Sequence, residues 1–167
     1  MRKIVLLFSI LLYFSCKKAK EEYYLIAKRD DKTSLFAYYD KTGKKILGDY
    51  FWAYEDTLKT YGIVADSGYV LINRKGEKIY SIYSYDNGPD ITSEGVYRII
   101  KDGKIGYADS LTSKIIIEAQ YDCAYPFENG KAKVSKDCKI SIENEHIIWE
   151  SKKWFYIDKK GRKIKLK

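Results

Sequence analysis

The 167-residue sequence has few of the residues on which most enzyme sites depend, with one histidine, His146, and three cysteines. A zinc site needs several His or Cys ligands, and neither a second His nor a Cys-x-x-Cys spacing is present. No phosphate-binding glycine loop and no serine-centred nucleophile motif occurs either. The sequence therefore predicts a protein that is not an enzyme, with no cofactor and no metal.

Long apolar runs are also scarce. Ile4 to Phe14 is an apolar run of eleven residues, broken only by Ser9, and it follows Arg2 and Lys3. A helix needs roughly 20 apolar residues to span a bilayer. A short run behind a positive start is typical of an export signal.

The run ends in "LYFSC", residues 12–16, which resembles the lipobox of bacterial lipoproteins. In that motif a small residue, here Ser15, precedes the Cys that becomes lipidated and N-terminal. The resemblance implies a signal peptide at residues 1–15, a lipidated Cys16 with a short polar tether through residue 22, and a folded domain at residues 23–167. It also implies an exported membrane lipoprotein, at the outer membrane, the cell surface or the periplasmic face. An ordinary cleaved signal peptide with an incidental Cys16 is the alternative.

The residue types that are abundant in the sequence favour β-structure. Aromatic residues make up 16% of the chain and 17 of them are Tyr, while hydrophobic and charged residues make up 46% and 32%. Tyr, Phe, Val and Ile favour the half-buried surface of a sheet. The composition predicts a globular all-β domain.

A turn pattern recurs along this domain in four segments: "YYDKTGKKI" (38–46), "LINRKGEKI" (71–79), "YADSLTSKI" (107–115) and "YIDKKGRKI" (156–164). In each, a strand ends in Asp or Asn and Ile follows six residues later. The predicted turn residues are Asp40, Gly43, Asn73, Gly76, Asp109, Asp158 and Gly161. An Asx side chain bonds its own backbone at the turn, and Gly takes the positive-φ position. Thr112 replaces Gly in the third segment, so that turn must have a different shape.

Further strands follow the hairpins, at residues 61–66, 96–102 and 132–137, and "EYYLIAKRD" (22–30) would lead into the first hairpin. Asn144 is a degenerate copy of the Asp position, which makes the successive spacings 33, 36, 35 and a shortened 14. We therefore expect tandem antiparallel hairpin-plus-strand repeats of about 35 residues, stacked in an open, curved or propeller-like array.

The third segment, extended to residues 103–134, resembles the WG-repeat family of bacterial proteins. The matching positions are Gly103, Lys104, Gly106, Tyr107, Asp109, Ile115 to Ile117, Tyr121, Asp122, Phe127, Gly130, Ala132 and Val134. Ile105 stands where the family has Trp, and in the last segment Trp154 is present but Phe155 replaces Gly. The resemblance covers most of residues 35–166, and it places Cys123 at a variable position in the connection between two strands.

The remaining cysteines, Cys123 and Cys138, would lie in an oxidising compartment, where a disulfide can form. Pairing across a turn near Glu128 places Cys123 opposite about Val134 and Cys138 opposite about Ala119. That offset is roughly 13 Å along the strands, too far for a bond. We therefore expect two free thiols, with a disulfide as the alternative.

Several other side chains admit a structural and a functional interpretation. His146 is expected to be an exposed strand residue, and Asp40, Asp109 and Asp158 to cap turns rather than act as acids or calcium ligands. The tryptophans Trp52, Trp149 and Trp154 are expected to fill the core and its edges, or else to form a platform for sugar or peptide.

The net charge is +8, with lysines clustered in "KKGRKIKLK" (159–167). Lysines on edge strands discourage aggregation, and export argues against contact with nucleic acid. We expect a lipid-anchored, non-enzymatic binding module of the bacterial cell envelope whose partner is a protein or polysaccharide. The alternatives are a structural accessory subunit of an envelope complex and an envelope glycan hydrolase, which would need two carboxylates facing each other in a groove.

Overall fold

The computed structural model describes residues 23–143 and 146–165, and its regular elements are all β-strands. This confirms the predicted all-β class with antiparallel pairing. The proposed signal peptide, Cys16 and its tether lie outside the described residues, as does Asn144. Among the described residues, there is no helix of the length and hydrophobicity needed to cross a membrane.

The fold consists of four antiparallel three-stranded units. Unit 1 contains β1 (Leu25–Arg29), β2 (Phe36–Tyr39) and β3 (Lys45–Tyr50), and two short strands follow it, β4 (Trp52–Ala53) and β5 (Thr57–Leu58). Unit 2 contains β6 (Tyr61–Ala65), β7 (Tyr69–Asn73) and β8 (Lys78–Ile82), followed by a small hairpin of β9 (Ser84–Tyr85) and β10 (Gly88–Pro89). The pairing of β1 with β2 confirms that the segment before the first hairpin supplies its leading strand.

Unit 3 contains β11 (Val96–Lys101), β12 (Lys104–Asp109) and β13 (Ile115–Tyr121), and β14 (Cys123–Ala124) follows it. Unit 4 begins with β15 (Ala132–Ser135) and ends with β18 (Phe155–Ile157) and β19 (Lys163–Ile164). Between β15 and β18 the chain forms a separate hairpin of β16 (Lys139–Glu143) and β17 (His146–Glu150).

The units are joined because the last strand of each one leads into a pairing with the first strand of the next. The buried pairs at the three junctions are Ala53 with Val64, Ile82 with Ile99 and Ala124 with Val134. Val64, Ile99 and Val134 follow one another at intervals of 35 residues. The predicted repeat length is therefore the spacing between equivalent buried positions. In the longest sheet the resulting strand order is β13-β12-β11-β8-β7-β6-β4.

The fourth unit shows that the spacings predicted on either side of Asn144 are wrong. Since β15 pairs directly with β18, placing Ala132 opposite Ile157, Asp158 is the turn residue of the fourth unit. The expected interval of 14 residues is therefore not a repeat interval. Residues 136–154 are an insertion whose two strands pair only with each other. The five residues of β16 are exposed, so this hairpin does not contribute a strand to the packed array.

The core lies between neighbouring units, as stacking of repeats requires. One cluster joins units 1 and 2 around Tyr38 and Val64, a second joins units 2 and 3 around Leu71 and Ile99, and a third joins units 3 and 4 around Tyr107 and Val134. No unit buries its apolar face by itself.

Two buried tyrosines connect this core to the segments between units. Tyr38 donates its hydroxyl hydrogen bond to the Glu55 carbonyl at 3.1 Å, and Tyr107 donates to the Tyr125 carbonyl at 2.7 Å. Burial raises the pKa of both phenols. Because a buried hydroxyl needs a partner, these bonds fix the course of the two connecting segments.

A buried ion pair holds the connection between units 2 and 3. Arg98 on β11 donates from Nε and Nη2 to the two carboxylate oxygens of Asp90, at 2.9 and 2.5 Å. Its Nη1 donates to the Ala124 carbonyl at 3.2 Å, and its guanidinium lies 4.1 Å from the centre of the Tyr83 ring. The guanidinium therefore ties β11 to the segments on both sides of unit 3.

Candidate binding site

Three of the predicted turn residues have their side-chain acceptors occupied by the turn itself. The Oδ1 atoms of Asp40, Asn73 and Asp158 each accept from the backbone N–H groups two and four residues later, at 2.9 to 3.1 Å. The glycines of these turns, Gly43, Gly76 and Gly161, have φ values of 85°, 79° and 74°. This is the geometry of structural turns.

The turn at Asp109 has a different shape, because it is one residue longer. The Asp109 N–H bonds the carbonyl of Lys114, five residues on, whereas the Asp40 N–H bonds that of Lys44, four residues on. Ser113, with φ 56°, takes the left-handed position. The Asp109 carboxylate accepts from the N–H and hydroxyl of Thr112, both at 2.7 Å.

Hydrogen bonds to these turn carboxylates lower their pKa values. The main donor is the Thr42 hydroxyl for Asp40, the Thr112 hydroxyl for Asp109, and the Arg162 guanidinium for Asp158. Within residues 23–143 and 146–165, no group of three or more His, Cys, Asp and Glu side chains is arranged to hold a metal ion.

The cysteines contradict the prediction of two free thiols. Cys123 and Cys138 form a disulfide, with their Cα atoms 5.9 Å apart. The predicted register is wrong by one residue, since Cys123 pairs with Ser135. More importantly, β15 ends at Ser135 and the chain bends at residues 136 and 137, whereas the prediction requires a straight strand. The bend brings Cys138 back to Cys123, which is 0% exposed.

The disulfide lies where the inserted hairpin leaves the array. On the other side of the hairpin, Trp149 packs edge to face on Tyr125, with ring centres 5.2 Å apart, and on Tyr83, at 6.0 Å. The outer residues Ile140 and Ile142 are 59% and 74% exposed. In this hairpin His146 lies opposite Glu143, and its side chain is outside the described part of the chain.

The other two tryptophans lie in different surroundings. Trp52 is 50% exposed and lies over Phe36, with ring centres 4.8 Å apart. Trp154 is half-buried and packs on Tyr125, with ring centres 5.5 Å apart. Trp154 therefore continues the ring cluster around Trp149, at the point where the insertion returns to unit 4.

A cleft of about 440 Å³ opens beside Trp154, and we call it the basic-aromatic cleft. Its lining residues are Lys136, Asp137, Lys153, Trp154, Phe155 and Lys163. Phe155 packs edge to face on Tyr121, with ring centres 6.1 Å apart. The bend before β16 and the segment before β18 supply most of the lining, so the insertion creates this cleft.

Three ammonium groups lie over aromatic rings at this cleft: Lys136 and Lys163 line it, and Lys133 lies beside it over the lining residue Trp154. The Nζ of Lys133 is 4.9 Å from the centre of the Trp154 ring, that of Lys163 is 4.9 Å from Phe155, and that of Lys136 is 5.8 Å from Tyr121. In the described part of the chain, none of the three has a carboxylate within 4.0 Å. The cleft therefore carries positive charge that the described residues do not neutralise.

Three other basic residues of this part of the chain are paired. Lys153 lies 2.7 Å from Asp137 across the cleft, Lys159 lies 3.3 Å from Glu94, and Arg162 lies 2.6 Å from Asp158. The C-terminal lysine cluster is thus divided, and Lys163 is its cleft member. Lys167, the last lysine of the cluster, is outside the described residues.

A second cleft, of about 240 Å³, lies between units 2 and 3 and includes Glu55, Tyr61 and Tyr97. Burial raises the pKa of Glu55, whose Oε2 accepts the Ile63 N–H at 2.5 Å. Each of these two clefts has one carboxylate in its lining, Glu55 in this one and Asp137 in the other. Neither has the facing pair that glycan hydrolysis requires.

Comparison with known protein families gives a match over part of the chain. Residues 105–139 match the WG containing repeat. No curated protein and no solved structure matches the chain. The matched segment runs from β12 through β15 to the first residue of β16, so it begins in the middle of unit 3 and ends in unit 4.

The motif residues of this WG segment have structural contacts. Phe127 packs on the Tyr107 ring, with centres 4.9 Å apart, and Lys104 forms an ion pair with Asp122. The Gly130 N–H donates to the Glu94 carboxylate at 3.1 Å. These contacts hold units 3 and 4 and the segments beside them together, so the motif residues serve the scaffold; of the cleft lining, Lys136 and Asp137 lie within the matched residues.

Proposed function

We propose that this protein is a non-enzymatic binding module of the bacterial cell envelope, anchored by lipid at Cys16, that takes its partner in the basic-aromatic cleft. The observation that carries the proposal is the set of three lysines held over aromatic rings, for which the described residues supply no carboxylate partner. Charge arranged in this way attracts an anionic partner, and the rings add apolar contact area.

Two further observations support this proposal. The disulfide between Cys123 and Cys138 is of a kind that persists in oxidising compartments, which agrees with export. The contacts that hold the scaffold together are the turn hydrogen bonds and the cores between units. The insertion is tied to this scaffold by the Cys123–Cys138 disulfide and by Trp149, and its exposed strand β16 remains accessible to a partner.

The test measures co-sedimentation of the full-length protein with envelope fractions of its own bacterium. The double variant Lys136→Gln/Lys163→Gln should bind about tenfold more weakly or worse, because two charges facing the partner are lost. The control Lys28→Gln/Lys131→Gln removes the same charge from two lysines, each 5.4 Å over a tyrosine ring and outside the cleft lining. Equal loss in both variants would mean that net charge, and not the cleft, determines binding.

Treatment of the envelope fraction identifies the class of partner. Periodate destroys polysaccharide and protease destroys protein, so loss of cleft-dependent binding after one treatment assigns the partner. A structural accessory subunit is the second candidate, and the exposed Ile140 and Ile142 on the inserted hairpin favour it. In that case Ile142→Ser should release the protein from an envelope complex while the lysine variants stay bound.

A further inference from the structure

The charge at the basic-aromatic cleft restricts what can occupy it. Lys133, Lys136 and Lys163 have no carboxylate partner within the described residues, and the one acidic residue of the lining, Asp137, is paired with Lys153. A cation would add to this positive charge. An anion would neutralise it, so the occupant is negatively charged.

The three ammonium groups are held on three different aromatic rings. Each ammonium lies over a different ring: Lys133 over Trp154, Lys136 over Tyr121 and Lys163 over Phe155. A phosphate group is bound by several donors that converge on one point. Ammonium groups held on three rings suit a chain that carries single charges at intervals.

The aromatic floor distinguishes between kinds of anionic chain. Trp154 and Phe155 are half-buried and line the cleft, so a ligand in the cleft would contact these two residues. A chain of acidic amino acids brings little apolar surface for each charge. A sugar acid brings a saturated ring with apolar C–H faces for each carboxylate, and these faces cover aromatic surface while the carboxylate meets an ammonium.

We propose that the ligand of the basic-aromatic cleft is a polysaccharide that carries a carboxylate on its sugar rings. The inference rests on the binding function proposed above and names its ligand class. The carboxylates pair with Lys133, Lys136 and Lys163, and the sugar rings pack on Trp154 and Phe155.

The experiment titrates the full-length protein in detergent with three probes and measures heat or fluorescence. The first is a hexamer of galacturonic acid, the second is its methyl ester, which has the same rings without charge, and the third is hexaglutamate, which has six side-chain carboxylates without sugar rings. We expect the free acid to bind at least about tenfold more tightly than either control probe, since each control lacks one of the two interactions.

Variants separate the two interactions. Trp154→Leu should weaken binding of the acid about tenfold or more and leave hexaglutamate nearly unaffected, and Lys163→Gln should weaken both. Lys28→Gln, which removes a ring-bound lysine of unit 1 that does not line the cleft, should change neither by more than about twofold. Lys163 is exposed, so its variant remains informative if Trp154→Leu proves unstable.

The other outcomes overturn the proposal. If hexaglutamate binds as tightly as the galacturonic acid hexamer, the cleft recognises charge alone. If the methyl ester binds as tightly as the free acid, the cleft does not recognise the carboxylate. If no probe binds while the envelope fraction still binds through the cleft, the ligand class is wrong and the binding function stands. If neither the probes nor the envelope depend on the cleft lysines, both proposals fail.

Discussion

Two glycines show that the repeat uses this residue for two different physical reasons. Gly43 has φ 85° with no atom within 4 Å of the place where a Cβ would lie, so only its backbone conformation demands glycine. Gly106 is the reverse case, because a Cβ there would lie 2.6 Å from the backbone nitrogen of Ala119 and from the backbone oxygen of Ile117. The first is a turn requirement and the second is a close approach of two strands.

At Gly43, replacement by valine should lower the free energy of unfolding by about 1–3 kcal/mol, because a β-branched residue is strained at this φ. Asparagine tolerates the left-handed region, so Gly43→Asn should cost much less. Urea unfolding of both variants measures the difference. An unchanged midpoint for Gly43→Val would show that the turn does not depend on positive φ.

At Gly106, even alanine should be costly. The added methyl group would force β12 away from β13, and overpacking of this kind costs about 1–3 kcal/mol or more. Gly106→Ala should therefore destabilise the protein more than Gly43→Asn does, although alanine is the smaller residue. The reverse order in urea unfolding would contradict the close strand approach.

The turn aspartates should make the domain sensitive to acid. The folded-state pKa values of Asp40, Asp109 and Asp158 lie below their ordinary value of 3.8. Their contribution to stability is therefore complete above about pH 4 and is lost as the pH falls through the lowered values. The triple Asp→Asn variant should show a flatter fall in melting temperature from about pH 5 to about pH 2.5, since Asn73 already performs this role in unit 2 without charge. Parallel pH profiles would rule out these carboxylates as the source.

Among the elements, the disulfide should stabilise unit 4 more than any single turn. Cys123 and Cys138 are 15 residues apart in sequence, and in the chain-entropy account closing a loop of this size is worth about 3 kcal/mol. The double variant Cys123→Ser/Cys138→Ser should lose about that much free energy of unfolding. Dithiothreitol should reproduce the loss in the native protein and have no effect on the variant. A variant as stable as the native protein would mean that the bond is incidental to folding.

The sequence predicts the positions of the strands better than it predicts which strands pair with one another. Local turn chemistry is visible in the sequence, so the Asx–Gly frame locates three hairpins. Thr112 in place of Gly predicts a third turn of different shape, and the structure shows that it is one residue longer. Whether β15 pairs with the next segment or with β18 depends on contacts across an insertion, and no local signal records them. The same is true of the bend at residues 136 and 137 that joins the cysteines.

The candidate site is harder to predict than the fold. The basic-aromatic cleft combines residues 136 and 137 with residues 153–155 and Lys163, and these approach because the inserted hairpin folds separately. In the sequence its lysines look like those of any solvated turn. Two signals are available, the alternation of lysine with small residues before Cys138 and the adjacent pair Trp154 and Phe155. Neither indicates that the two segments share a cleft.

In the molecule as a whole, the regular units form the stacked core, and the irregular insertion forms the exposed hairpin and most of the cleft. Units 1 to 3 stack through cores that lie between them, and unit 4 continues this array through Val134 and Ile157. The insertion adds an exposed hairpin and the charged cleft to the last unit, far along the chain from Cys16. If Cys16 carries lipid, as proposed above, the array would present this cleft at the membrane.

That arrangement depends on the anchor, and the anchor can be tested directly. Detergent extracts of the native membrane should contain a chain that begins at Cys16 and carries a diacylglycerol, with or without a further acyl chain, and intact-mass measurement detects each form. Cys16→Ala should abolish the lipid and release the protein or leave its precursor unprocessed, because one or more chains supply the membrane affinity. Cys123→Ser/Cys138→Ser is the matched control and should remain lipidated. Unchanged membrane retention of Cys16→Ala would refute the anchor, and a chain cleaved elsewhere without lipid would indicate an exported protein whose cleft acts in solution.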